Sequence, residues 1–311
     1  MKMKDIEREK IINYFNYNIA LEHSAIIQYL FHAYTIGEAE TENEIEEIAR
    51  EEMRHLRMFA HKVVELGGDP AISERASVFL HAPTLEELMQ FNIDAELMAI
   101  KEYSNQLNDI NDESSKRILS RVINDEKAHS QIFMKMKENL KQLIKTSSSQ
   151  VEQERMEIAQ LLNTVLQKQY KKILEELYQS FITRFKNPHL SDELEQKAID
   201  KMKHFGWIAE ELTENGLEID VSLPKVEKIN QINQIVEYNV QEEDISSQEF
   251  KDLSEKTKEE SLKWILERIS KREMHYKDLK AFLERSDLTE KEHSKIISAF
   301  TVGSLFKKGA K

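Results

Sequence analysis

The chain has 311 residues, room for about two domains of ordinary size, and carries a net charge of −13 with a pI near 5.4. That acidic balance argues against nucleic acid as the main partner, and no apolar run approaches the roughly 18 residues of a membrane helix. With no cysteine it can form no disulfide, hold no iron–sulfur cluster and use no thiol chemistry. The opening MKMKDIEREK lacks the apolar stretch of a signal peptide, so a cytoplasmic protein is expected.

Only 7 glycines and 4 prolines interrupt the chain, which makes long helices the natural reading and all-α the expected class. The pattern predicts helices at about 4–37, 41–66, 84–110 and 112–145. Thr41-Glu-Asn-Glu44 and Thr84-Leu-Glu-Glu87 read as capping boxes, and Gly67-Gly68-Asp69-Pro70 as a helix stop. The segment at about 67–83 is the long crossover that a four-helix bundle of two hairpins requires. Thr146-Ser-Ser-Ser-Gln150 is a polar break. It divides the chain into an expected bundle over 1–147 and a second over 151–311. Helical patterns resume at about 152–186, 191–215, 226–256 and 259–285, with a short helix at about 288–300 and a basic tail. The expected architecture is therefore two four-helix bundles in tandem plus a short C-terminal helix.

Apolar stripes run along the first four segments. They read Ile12, Phe15, Ile19, Glu22, Ile26, Tyr29, then Ile45, Ile48, Glu52, His55, Phe59. The fourth reads Leu119, Val122, Glu126, His129, Phe133, Met136, Leu140. The third is less clean: Leu85, Met89, Asn92, Glu96, Ala99, Tyr103. Steps of three and four mark the seam of a packed bundle, and charged residues occupy positions where apolar ones belong.

Those residues form a repeated pattern. Glu22 precedes Glu52-x-x-His55 and Glu96 precedes Glu126-x-x-His129, both by 30 residues, and a tyrosine follows each lone glutamate by seven, Tyr29 and Tyr103. Burying an unpaired carboxylate costs several kcal/mol. Two divalent cations balance four carboxylates, and carboxylate with imidazole suits iron, manganese or zinc. Glu and His three apart share a helix face and reach one ion. The lone glutamates can bridge or chelate, and the tyrosine hydroxyls can hydrogen-bond a ligand carboxylate. One Glu-x-x-His is common in a charged helical chain, but two copies in register on the seam are not.

On these residues the chain resembles the ferritin-like superfamily, nearest its bacterioferritin and rubrerythrin branch. ALEHSAIIQYLFHA, AREEMRHLRMFAHKVVELGGDP, NIDAELMAIKEY and INDEKAHSQIF carry the likeness, over about residues 5–145. It implies a di-iron centre, or one of iron with manganese, that reacts with dioxygen or hydrogen peroxide. The implied ligands are Glu22, Glu52, His55, Glu96, Glu126 and His129. Rubrerythrins add a four-cysteine rubredoxin module, which this cysteine-free chain cannot hold, so the electron donor is unidentified. Met53 stands where bacterioferritins bind haem between subunits, but methionine is frequent there in haem-free relatives too, and haem is not expected. His23, His32, His61 and His81 read as outer groups or surface residues, and Glu51 as solvated.

The second half reads as a degenerate copy. AIDKMKHFGWIAEELTENG aligns without a gap on AREEMRHLRMFAHKVVELG, setting His204 on His55, Gly216 on Gly67 and Lys201 on Glu52. The same offset sets Tyr178 on Tyr29 and Lys171 on Glu22, and further on His275 falls on His129 and Arg272 on Glu126. Glu243 is the counterpart of Glu96 and Phe250 of Tyr103. Three expected carboxylates thus become cations, and no second complete metal site is expected. Such a half can dock on the first as a second subunit would. The leading functional expectation is a ferroxidase- or oxidase-like dimetal protein, with Tyr29 and Tyr103 beside the reacting centre and a homodimer as an expected assembly. An iron-storage cage and a metal-stabilised, partner-binding scaffold are the alternatives.

Overall fold

The computed structural model describes residues 5–139, 153–257 and 260–273. Among them it has α1 (Asp5–Ile36), α2 (Ala39–Glu65), α3 (Leu85–Asp109), α4 (Glu113–Asn139), α5 (Gln153–Thr183), α6 (Pro188–Glu214), α7 (Ile232–Lys256) and α8 (Glu260–Glu273). The described residues contain no strand, and none of their helices is long and apolar enough to cross a membrane. They divide into two compact units, Met1–Lys228 and Ile229–Lys311. The polar break at 146–150, Leu140, His275, the short last helix and the basic tail lie outside the described residues.

In the first unit, the hairpins α1–α2 and α3–α4 pair through α1 with α3 and α2 with α4, which closes a four-helix bundle. A third hairpin, α5–α6, packs on the same two helices that form the first, α5 against α2 and α6 against α1. This explains why burial on α1 extends well beyond the stripe read from sequence. Its middle turns, from Leu21 to Ser24 and from Ile26 to Tyr29, are buried all round. The less clean stripe of α3 has another cause. Leu85, Leu88, Met89 and Ile93 face the core, but Ala99 is only half-buried and lines a cavity.

Local signals set the ends. Thr84 caps α3 as expected: its hydroxyl accepts from the Glu87 N–H at 3.2 Å, and the Thr84 N–H donates to Glu87 Oε2 at 3.1 Å. The box read at Thr41 is not formed. α2 begins one turn earlier at Ala39, and the Thr41 hydroxyl donates to Glu38 Oε2 instead. α2 ends at Gly67, whose φ of 79° is cheap only for glycine, and the Gly68 N–H donates to the Val63 carbonyl at 2.8 Å. α7 starts at Ile232 and not near 226. The preceding segment is claimed by tertiary bonds: the Glu227 N–H donates to Glu175 Oε1 at 3.1 Å and Lys228 reaches Asp69 at 2.7 Å.

The internal repeat is visible in three dimensions. Both ends of α6 lie 149 residues after those of α2 (188 − 39 and 214 − 65), and Gly216 repeats the positive φ of Gly67 at 66°. At Gly206 the third hairpin comes so near α1 that an added Cβ would sit 3.1 Å from the Tyr34 hydroxyl. Arg57 of α2 pairs with Glu195 of α6, and the Arg75 guanidinium of the crossover donates to the Tyr170 hydroxyl and the Val221 carbonyl. In the second unit α7 and α8 form a hairpin. There the Ser247 and Ser270 hydroxyls exchange bonds with each other's carbonyls around buried Phe250, Leu266 and Ile269.

Candidate metal centre

Two apolar layers bracket the middle of the four-helix bundle. Phe15, Phe59 and Tyr103 stack edge to face on one side, and Tyr29 meets Phe133 on the other. Between them Glu22 comes from α1, Glu52 and His55 from α2, Glu96 from α3, and Glu126 and His129 from α4. All six are at most 2% exposed. The structure thus brings together every residue that the repeated spacing singled out.

Ligating atoms gather in two groups within 4.8 Å, Glu22–Glu52–His55–Glu126 and Glu52–Glu96–Glu126–His129. Glu52 and Glu126 belong to both. Glu52 and Glu126 would therefore be shared by two ions, while the lone Glu22 and Glu96 would each serve one. The imidazoles stack at 5.9 Å with their Nδ1 atoms turned inward. His55 Nδ1 lies 2.9 Å from Glu52 Oε2 and 3.2 Å from Glu126 Oε1, and His129 Nδ1 lies 3.1 Å from Glu126 Oε2 and 2.9 Å from Glu52 Oε1. The donor set fits two divalent ions. Glu52 Oε1 and Glu126 Oε1 are buried without an aligned hydrogen-bond donor, a state that costs roughly 1–3 kcal/mol per group unless something else binds there.

Charge in the cluster is strongly redistributed. Burial, together with the charges of Glu126 and Glu52, lifts the Glu22 carboxyl well above the usual range, and burial with the same two neighbours lifts Glu96. Burial opposes the ionised form of Glu52 as well, but bonds from His129 and His55 outweigh it and hold Glu52 well below the usual range. Burial would lower both histidines. Bonds to Glu126 and Glu52 overcome it, pushing His55 up to about 12 and His129 up to about 10. Without metal the cluster stores protons on the groups a cation would use.

The surrounding contacts are reciprocal. The Tyr29 hydroxyl on α1 donates to Glu96 on α3 at 2.7 Å, and the Tyr103 hydroxyl on α3 donates to Glu22 on α1 at 2.5 Å. The outer ring nitrogens cross the other way: His55 Nε2–H donates to Asp125 at 3.2 Å and His129 Nε2–H to Glu51 at 2.8 Å. Glu51 is therefore not simply solvated. It and Asp125, which was not singled out from sequence, orient the two imidazoles so that each inner nitrogen, once deprotonated, points into the cluster where a cation would bind. The available signal was an acidic residue directly before each Glu-x-x-His.

Other candidates lie apart from the cluster. His23 binds the Tyr170 hydroxyl and the Glu74 carbonyl, and burial lowers it to about 4. His32 Nε2–H donates to the Phe79 carbonyl, and burial lowers it likewise to about 4. His61 packs on Phe181 and His81 on Phe31, and Met53 is only half-buried. In the third hairpin Lys201, counterpart of Glu52, is 3% exposed and pairs at 2.9 Å with Glu176 of α5. A fixed cation and a fixed carboxylate thus sit where the first half gathers ligands. Lys171 follows the other course, partly exposed beside Glu175.

A family model described as Ferritin-like matches residues 15–238. A bacterioferritin of Desulfovibrio desulfuricans is 27% identical over 145 residues, which span 45% of this chain and 81% of that protein. An X-ray structure of the Desulfovibrio desulfuricans bacterioferritin, solved with its diiron site in different catalytic states, aligns with a TM-score of 0.42 at 26% identity, covering 45% of this chain and 84% of that one.

Proposed function

The chain belongs to the ferritin-like family, and we propose that it is a dimetal carboxylate redox protein that reacts with dioxygen or hydrogen peroxide in the manner of a ferroxidase. The observation that carries this is the convergence of six buried carboxylate and imidazole ligands in two groups that share Glu52 and Glu126. Iron is the proposed metal and manganese the alternative; the 27% identical bacterioferritin favours iron. When bound, two ferrous ions would supply the two electrons that reduce the oxidant. The protein's own part is fixed. Four carboxylates balance the charge of two divalent ions. Asp125 and Glu51 hold the imidazole tautomers, and Tyr29 and Tyr103 keep the outer carboxylates in place. The phenols, kept protonated by burial and by Glu96 or Glu22, hold a proton beside the centre. Reduction back to the ferrous state needs an external donor.

The test is metal content after purification without added metal, then anaerobic ferrous loading and exposure to each oxidant. About two metals per chain with rapid oxidation, both lost in Glu52→Ala, is the expected outcome. Two metals with no oxidation would leave only a structural role. A storage cage is the second reading, favoured by the same bacterioferritin likeness, and a hollow assembly in the analytical ultracentrifuge would establish it.

A further inference from the structure

A cavity of about 250 Å³ lies between α1 and α3 and ends on the Glu22 and Glu96 side of the cluster. Its walls are apolar: Leu21 and Ala25 from α1, Ala95, Met98 and Ala99 from α3. The crossover loop lines one side of its mouth. The Phe79 N–H donates to Gln28 Oε1 at 2.9 Å and the Phe79 carbonyl accepts from His32 at 2.8 Å. So held, the Phe79 ring lies against Phe91 with centroids 5.3 Å apart. The polar atoms along the way are already engaged. Gln28 Nε2 donates to Asn92, the Ser24 hydroxyl donates to backbone carbonyls of its own helix, and Asp94 at the rim accepts from Gln90. Between Asp94 at the rim and the carboxylates of the cluster, the stretch formed by Leu21, Ala25, Ala95, Met98 and Ala99 offers a cation no ligand. The other side of the centre differs: there the partly exposed carboxylates Glu51 and Asp125 adjoin the histidines.

We infer that this cavity is a binding site for a small, uncharged, apolar organic molecule, held against the Glu22–Glu96 side of the dimetal centre. Two ions with one or two waters fill less than about 100 Å³, since a water claims about 30 Å³, and an apolar space of about 150 Å³ accepts a benzene-sized molecule. The placement next to the metals rests on the dimetal reading above; the binding itself rests on the walls alone.

Fluorobenzene is a fitting probe, followed by 19F NMR on the full chain in metal-free, zinc-loaded and ferrous-loaded forms. Saturable binding is expected in all three, with paramagnetic broadening only in the ferrous form. Ala99→Phe should weaken it about tenfold or more, and Ala25→Phe serves equally should the first variant fail to fold, with circular dichroism and metal content recorded on the same samples. Three results would overturn the inference: no binding to the wild-type chain, equal binding to both filled variants, or broadening that is absent while ferrous ions are bound. The first of these results, joined by slower ferrous oxidation in Ala99→Phe, would make the cavity a passage for dioxygen only. A chain that takes up no metal defeats the dimetal reading instead, and the metal-free titration then decides the cavity by itself.

Discussion

Loading the metal-free chain with divalent ions at neutral pH should expel a definite number of protons. His55, pushed up to about 12, and His129, pushed up to about 10, each carry one proton more than a ligand imidazole does. Glu22 and Glu96, both lifted well above the usual carboxylate range, carry one each as well. Metal ligation requires all four to be deprotonated, so filling both positions releases roughly four protons per chain, or about two per ion. The sign follows: each ion displaces protons, so affinity rises with pH, by about a hundredfold per ion per pH unit while those groups remain protonated. The assay is calorimetric titration with Zn²⁺ or Mn²⁺ in buffers of different ionisation enthalpy, repeated at several pH values. Release of less than about one proton per chain, or an affinity flat between about pH 6 and 7.5, would refute the charge distribution described here. Stability provides a parallel readout. Histidines raised in the fold contribute stability that is fully present below their ordinary value of 6.5 and is lost as pH rises towards about 10 and 12. The metal-free chain should therefore lose Tm as pH increases above neutrality, and metal should abolish that decline.

Asp125→Asn and Glu51→Gln should each weaken metal affinity by about 10–100-fold, read by competition with a chromogenic chelator, because each loosens one imidazole; unchanged affinity would remove both from the centre. Lys201→Met leaves Glu176 buried and unpaired, which should cost about 3–5 kcal/mol, or roughly 6–20 °C in Tm. Adding Glu176→Leu should restore most of that loss, and an unshifted Lys201→Met melt would refute the pairing. His23 and His32, held neutral by burial down to about 4, bind protons more readily when unfolded, so they contribute stability that is present above 6.5 and lost as pH falls towards 4. His32→Gln should flatten part of that acid loss in a melting series across the window.

How far the sequence discloses this molecule differs from residue to residue. The six convergent side chains were legible because charged residues on an otherwise apolar seam are costly, and their spacing repeats. Glu51 and Asp125 were not. A residue one position off the seam points about 100° away, and only the packed α2–α4 pair shows that it meets the histidine of the opposite helix. The Thr41 box failed because α2 already starts at Ala39 with Glu38 as its N-cap, which places Thr41 inside the first turn. The Lys201–Glu176 pair was half legible: the cation was evident from the repeat, but its carboxylate partner comes from a position occupied by Ile27 in the first half. That α5–α6, from the second half, docks on the first was legible from the repeat, but its seat on α1 and α2 was not, since it rests on the close approach at Gly206 and on pairs such as Arg57–Glu195 that no periodicity encodes.

The seating of that third hairpin has a consequence for behaviour on dilution. The helices α1 and α2 carry three of the six ligands, and the hairpin that covers them belongs to the same chain. Had the cover been a separate subunit, it would dissociate at low protein concentration and leave the ligand helices exposed. A covalently linked cover is present at an effective concentration of order millimolar, whatever the amount of protein in the cell. Metal affinity should then be the same in nanomolar and in micromolar samples, whatever further assembly the chain undergoes.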